Sequence, residues 1–290
     1  MTKSPGRRHR RTLSRLVTAA IAAAVVGTTA GTAAAAPGEA RAESPVFPLM
    51  AAKSNGELYS YWRDGHGGFK DPKKETDNWR YITAVTQADL NQDGWQDSHY
   101  FRTLDGVLHL TVGGKTEADV VHTRIGGGWN IYDRIFNPGN LGGAKEPDLL
   151  ARDRDGVLWV YLAYPDGTLT DRVRVGGGWD QYTDIVGRGD LNDDGRTDIL
   201  AKDRSGNLWF YKGTGNTNDP FESRVKVGGG WNIYNALVAT GDVDGDGRSD
   251  LLARDKSGVL WLYRGNGNET DPFANRTRIG GGWDQFVNLF

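Results

Sequence analysis

The 290-residue chain has no cysteine and only two methionines. The missing cysteine excludes disulfides, thiol nucleophiles and cysteine-ligated zinc. Histidine is nearly as scarce, with five copies, and the chain carries neither a His-Glu-x-x-His nor a Gly-x-Ser-x-Gly string. The metalloprotease and serine-hydrolase signatures are therefore absent. Long apolar runs are missing as well. The longest, Leu16 to about Val26, is too short to span a bilayer. It follows Arg7, Arg8, Arg10, Arg11 and Arg15 and precedes small residues ending at Ala36. That order reads as a secretory signal peptide over residues 1–36, with Ala42 as the latest cleavage point and 37–44 as a short linker. Arg10-Arg11-Thr12-Leu13 leaves a general secretory and a twin-arginine route both open. Cleavage after Ala36 removes six basic and no acidic residues, so 29 Lys+Arg then face 37 Asp+Glu, a net charge of −8. The expected product is a secreted, extracellular protein with no membrane span, and its charge argues against nucleic acid.

What the chain does have is glycine, 41 residues of it, and a repeat. Gly126-Gly127-Gly128-Trp129 returns at Trp179, Trp231 and Trp283, and a degenerate Thr76-Asp77-Asn78-Trp79 precedes them. The Trp spacings are 50, 50, 52 and 52. Each unit runs through an apolar strand, an acidic loop, a second apolar strand, a tight turn, a third strand such as Val259-Leu260-Trp261-Leu262-Tyr263, and a fourth such as Arg276-Thr277-Arg278-Ile279. Four short strands joined by turns predict one antiparallel blade per unit. In the third strand both faces are apolar, as expected of a sheet packed between two others. Residues 49–59 align with the second strand onward of a unit, and residues 283–290 with its first strand. The two ends complete each other, so a closed ring leaves no unpaired edge where an open stack would leave two. The expectation is an all-β, five-bladed β-propeller over residues 45–290, its closing blade shared between the N- and C-terminal segments.

Asp242, Asp244, Asp246 and Asp250 place carboxylates at loop positions 1, 3, 5 and 9 around Gly247, a spacing that suits a hard cation wanting six to eight oxygens. The pattern recurs at Asp190, Asn192, Asp194 and Asp198, and at Asp89, Asn91, Asp93 and Asp97. The third unit has Asn140, Gly142, Ala144 and Asp148 instead and has lost it. Position 12, Glu in an EF-hand, is Ala253, Ala201 or Tyr100, and the flanks are strands. Three structural Ca2+ sites are expected, substituting for the missing disulfides. These loops resemble those of FG-GAP/VCBS, integrin-type propellers, a family broad enough to imply metal binding without a function.

The Gly-Gly-Gly-Trp turn and the blade number resemble the tachylectin-2-type lectins. That resemblance implies sugar sites between neighbouring blades for glycans of the N-acetylglucosamine or N-acetylgalactosamine type, carried onto Trp129 and Asn130, Trp179 and Asp180, Trp231 and Asn232, Trp283 and Asp284. Acidic loops of this length are not part of the lectin pattern, and Trp79-Arg80 departs from the motif. An exposed indole suits stacking on a pyranose and Asn or Asp suits hydroxyl recognition, whereas the same Trp can equally pack between blades. Trp159, Trp209 and Trp261 read as packing, and His66, His99, His109 and His122 occupy non-equivalent positions. The chain thus reads as a non-catalytic, calcium-stabilised, multivalent lectin. The rivals are a protein-interaction propeller serving as a subunit of a secreted, toxin-like assembly, and a polysaccharide lyase.

Overall fold

The computed structural model describes residues 44–114 and 119–290, so the signal segment 1–36 and all of the 37–44 linker except Ser44 lie outside the described residues. The described strands form five four-stranded antiparallel sheets arranged as the five blades of a propeller. Four blades are continuous in sequence, spanning residues 82–126, 132–176, 182–228 and 234–280. The fifth has the order β4-β1-β2-β3, where β1 is Leu49–Lys53, β2 Leu58–Tyr61, β3 Lys73–Thr76 and β4 the C-terminal strand Phe286–Leu289. Ring closure lies in the β1–β4 ladder, with Ala51 opposite Leu289 and Ala52 opposite Asn288. The amides of Met50 and Phe290 also exchange bonds of 2.8 and 3.0 Å.

Strand alternation explains the packing. In the third strands one face carries Leu158 and Val160, Leu208 and Phe210, or Leu260 and Leu262, all fully buried. The opposite face, with Trp159, Trp209 and Trp261, is only half-buried, so the two faces are less alike than the sequence suggests. Each core cluster draws side chains from two adjacent blades; Leu108 and Leu110 of one blade pack with Trp129, Leu149 and Ala151 of the next. Such pairwise burial is the main stabilising term in the ring.

The Trp motif is the hinge from one blade to the next. Gly128, Gly178, Gly230 and Gly282 have φ of 89°, 83°, 84° and 85°, a left-handed conformation that glycine adopts without a Cβ clash. The three residues after each form a single 3-10 turn that starts at the Trp. The Trp amide then bonds to the carbonyl of a turn glycine in the preceding blade: Trp129 to Gly106, Trp179 to Gly156, Trp231 to Gly206, each at 2.9 Å, and Trp283 to Gly258 at 3.0 Å.

One expectation is corrected here. Trp129, Trp179, Trp231 and Trp283 are buried, with 6–8% of their surface exposed. Their rings lie 4.7–4.8 Å from Tyr161, Tyr211, Tyr263 and Tyr61. No indole face is open to stack on a sugar. The reason is local: the 3-10 turn directs the Trp inward, onto the third strand of its own blade.

Candidate functional site

Two repeated constellations carry chemistry, one at the Trp turns and one in the acidic loops. At the Trp turns, Asn130, Asp180, Asn232 and Asp284 are exposed. Each lies over a turn glycine of the blade before, so closely that a Cβ on Gly106, Gly156, Gly206 or Gly258 would fall 2.5–3.1 Å from the Asn or Asp side chain or the adjoining backbone. The side chain is thereby held at the seam between two blades with its polar end in solvent.

Under this seam runs a second pattern. Arg172, Arg224 and Arg276 stack over Trp159, Trp209 and Trp261 with guanidinium-to-ring distances of 4.0, 4.1 and 4.2 Å. Each Arg also donates to a buried tyrosine hydroxyl, on Tyr132, Tyr182 or Tyr234. Those hydroxyls pair with Tyr161, Tyr211 and Tyr263 at 2.5, 2.5 and 2.6 Å. Burial raises the pKa of the latter three, which keeps their protons in place. Asp153, Asp203 and Asp255 accept the indole N–H of the same tryptophans at 2.8–2.9 Å. Sequence reading assigned these tryptophans to packing and passed over the arginines. A signal was available, because Arg172, Arg224 and Arg276 each stand seven residues before a motif Trp.

Another latch went unseen. Arg102, Arg152 and Arg254 reach into the next blade and donate to two carbonyls there, for example Trp179 and Tyr182 at 3.0 and 2.7 Å. Lys202 does the same work with one bond to the Tyr234 carbonyl and an ion pair to Asp184 at 2.8 Å.

The acidic loops join the first and second strands of their blades. In the loop at 242–250, oxygens of Asp242, Asp244 and Asp250 lie within 4.8 Å of one another. Among the described residues this is the one such group of three or more acidic or histidine ligands. The donors are hard oxygens, so the set fits a cation such as Ca2+. Two guanidinium groups flank it: Arg63 is 2.5 Å from Asp242, and Arg264 is 2.7 Å from Asp244. Asp246 has no such ion pair among the described residues, and its carboxylate Oδ1 accepts the backbone N–H of Arg248. In the loop at 190–198, Asp190 accepts three backbone N–H groups and Asp194 meets Lys212 at 3.3 Å. In the loop at 89–97, Asp89 accepts from Asp93 and Gly94, and Asn91 bonds Asp93. The structure gathers the acids of the 242–250 loop more tightly than those of the other two.

The last aspartate of each loop behaves differently from the rest. Asp198 and Asp250 are buried and span two amides, Leu191 and Gly213 in one case, Val243 and Gly265 in the other. Desolvation pushes both carboxyls up to about 7 despite those bonds. Asp97 is half-buried and raised for the same reason, while Asp89 is raised to about 6, again mainly by burial. Among the described histidines, His99 is the fully enclosed one, pulled down to about 3 by burial, and is neutral at physiological pH.

Comparison with known proteins agrees with the repeat. A family model described as an FG-GAP-like repeat matches residues 190–253, which takes in two acidic loops and the blade between them. No curated protein matches the chain. Among solved structures, the BP39L lectin of Burkholderia pseudomallei is 14% identical with a TM-score of 0.48, over 83% of this chain and 71% of that one. Prp20p of Saccharomyces cerevisiae, whose binding to Gsp1p and histones has been described, is 14% identical with a TM-score of 0.40, over 81% of this chain and 61% of that one. Human WBSCR16 is 9% identical with a TM-score of 0.37, over 78% and 64%. The chain thus spans about three-fifths of the length of Prp20p and of WBSCR16. At these scores the similarities bear on neither ligand nor partner. Among the described residues no helix is long and apolar enough to cross a membrane.

Proposed function

We propose that the chain is a secreted, non-catalytic, multivalent glycan-binding propeller directed at N-acetylhexosamine-containing surface or cell-wall glycans and stabilised by calcium. The observation that carries this reading is the fourfold recurrence, at equivalent seams, of an exposed Asn or Asp held over the buried glycine of a turn in the preceding blade. A rigid polar side chain next to backbone amides suits hydroxyl and acetamido groups, and it has no packing task that demands an amide or carboxylate there. The motif tryptophans support the site from beneath. A shallow single-sugar site binds weakly, and four on one ring gain through effective concentration on a dense polysaccharide.

The three acidic loops would hold Ca2+ through Asp89, Asn91, Asp93 and Asp97, through Asp190, Asn192, Asp194 and Asp198, and through Asp242, Asp244, Asp246 and Asp250. When bound, the ion would supply charge neutralisation and cross-link the loop to itself, a structural role. The chain's own residues do the rest: the loop glycines permit the turn, and the buried last aspartate fixes the loop to the blade.

A second reading has an observation of its own. Ile131 and Ile233 follow Asn130 and Asn232 directly and are each 46% exposed, and Leu104 is 67% exposed. Apolar side chains on the sugar-binding rim favour a protein partner, for instance another subunit of a secreted assembly.

Binding to a glycan array with Ca2+ present, competed by free N-acetylglucosamine and weakened by Asn130→Ala, Asp180→Ala, Asn232→Ala and Asp284→Ala together, is the expected result. Those positions are exposed, so the quadruple variant is expected to melt within a few degrees of the parent. Absence of binding to every glycan tested would remove the carbohydrate reading and leave the protein-partner one.

A further inference from the structure

The first strands of the five blades surround an axial cavity of about 260 Å3, with room for several waters. Its mouth is formed by the exposed starts of those strands, around Thr83 and Asp133. The other end is closed by the chain's entry segment. Val46 donates its N–H to Gly94, Phe47 donates to Thr240, and Asp242 donates to Pro45, so the segment touches blades on both sides of the axis. The cavity is therefore a pit with a floor.

At the floor stand Gln87, Asn137 and Arg188, with 1%, 1% and 6% of their surface exposed. All three line the pit. Arg188 Nη1 donates to the Gln87 carbonyl at 3.0 Å and to Asn137 Oδ1 at 3.4 Å, and its guanidinium lies 4.1 Å from the Phe47 ring. Among the described residues no carboxylate pairs with it. Asp133, the acid that lines the pit, is engaged by Arg152 at 2.8 and 3.0 Å. Asp89 is the acid that acts on Arg188 at longer range, and its carboxylate is taken up by the amides of its own loop.

Three buried polar atoms at this floor have no hydrogen-bond partner: Arg188 Nε, Asn137 Nδ2 and Gln87 Oε1. The Gln87 orientation is fixed, because its Nε2 donates to the carbonyls of Pro48 and Phe290 at 3.0 and 3.3 Å. A buried guanidinium without a counter-charge is costly, and each unpaired polar atom adds to that cost. Nothing in the repeat demands the arrangement either, since Ala88, Pro138 and Thr240 occupy the position of Arg188 in the other continuous blades. Two free donors beside one cation and one free acceptor describe a specific complement.

We propose that the axial pit binds a small hydroxycarboxylate, its carboxylate accepting from Arg188 Nε and Asn137 Nδ2 and its hydroxyl donating to Gln87 Oε1. The balance of groups selects a carboxylate over a neutral sugar, and the hydroxyl distinguishes it from a simple acid. The site is distinct from the glycan seams, and its floor segment is tied to two acidic loops through Gly94 and Asp242.

The test is calorimetry and thermal unfolding of the full secreted chain in Ca2+-containing buffer, with glycolate, acetate and chloride at matched ionic strength. Glycolate is expected to bind saturably and to raise the melting temperature, acetate to bind more weakly, and chloride to do neither. Asn137→Asp, which puts a carboxylate of the chain's own beside Arg188, should weaken glycolate at least tenfold. Asn137→Ala, which removes the donor without adding charge, should weaken it too, and tryptophan fluorescence verifies that both variants are folded. A glycolate response no larger than that of chloride, or one unchanged in both folded variants, overturns the proposal. Equal binding of glycolate and acetate overturns the assignment of Gln87.

Discussion

The loops at 140–148 and 242–250 connect the same two strands of their blades, have the same length and end in the same buried aspartate, yet only the second gathers acidic ligands. In both, the residue after the loop's first position is a buried apolar side chain, Leu141 or Val243, whose amide bonds to that aspartate at 2.8 or 2.9 Å. In both, the other carboxylate oxygen reaches an amide of the following hairpin, at Ala163 or Gly265. Asp148 keeps this arrangement in a loop that has Asn140, Gly142 and Ala144 where the other has three aspartates. The last aspartate therefore serves the blade in both loops, and in the second its carboxylate also lies within 4.8 Å of those of Asp242 and Asp244. A spacing of acids in sequence does not separate those two roles.

The largest effect expected from this contrast is loss of the shared bond. Asp148→Ala and Asp250→Ala each strand two backbone amides, which at about 1–3 kcal/mol per group amounts to roughly 2–6 kcal/mol. Chemical denaturation in EDTA should show the two variants destabilised alike; a much larger loss for Asp250→Ala would mean that the metal-type loop does not share the frame of its neighbour. Next comes the attempt to turn one loop into the other. A Cβ on Gly142 would lie 2.1 Å from the Gly215 carbonyl oxygen, at a φ of 122°. Gly142→Asp should therefore destabilise the fold by several kcal/mol and install no ion site, read by melting with and without Ca2+. A stable, calcium-responsive Gly142→Asp would show that the two loops are interchangeable.

Smaller, and more diagnostic, is the response to pH. Burial pushes the Asp148 carboxyl up to about 7 against an ordinary value near 4 in the unfolded chain. Between those values the folded protein holds a proton that the unfolded chain has released. Its contribution to stability is complete below about pH 4, falls as pH rises and is gone above about pH 7. In the presence of Ca2+, a comparison of the parent with Asp148→Asn should show less loss of stability from pH 5 to 8 in the variant. An unchanged slope would place the Asp148 carboxyl in the ordinary range.

Much of this was legible in the sequence. The period of the motif Trp gave the blade count, and the offset of the two termini gave the closing blade, because a propeller repeats both its hydrogen-bond ladder and its turns. The Trp burial was not legible: the same Gly-Gly-Gly-Trp turn suits an open or a covered ring, and what covers Trp231 is Tyr263, contributed by the blade's third strand 32 residues later. The double role of the loop acids was hidden for a similar reason. A carboxylate reads as a ligand by spacing alone, and only the buried amides of Gly213 and Gly265 reveal the other use. The Arg172, Arg224 and Arg276 stacks were periodic, but a periodic arginine on a short strand reads as a solvated face.

The most direct test of the account is thermal unfolding of the chain in Ca2+ and in excess EDTA, for the parent, Asp244→Asn and Asn140→Ala. At an ion concentration a hundredfold above its dissociation constant each occupied site adds about 2.7 kcal/mol, or roughly 5–10 °C for a chain of this size. The account predicts that chelation lowers the parent's melting temperature by at least that amount and that added Ca2+ restores it. It predicts a smaller drop in Asp244→Asn and an unchanged one in Asn140→Ala. Superimposable melting curves for the parent in Ca2+ and in EDTA would contradict it.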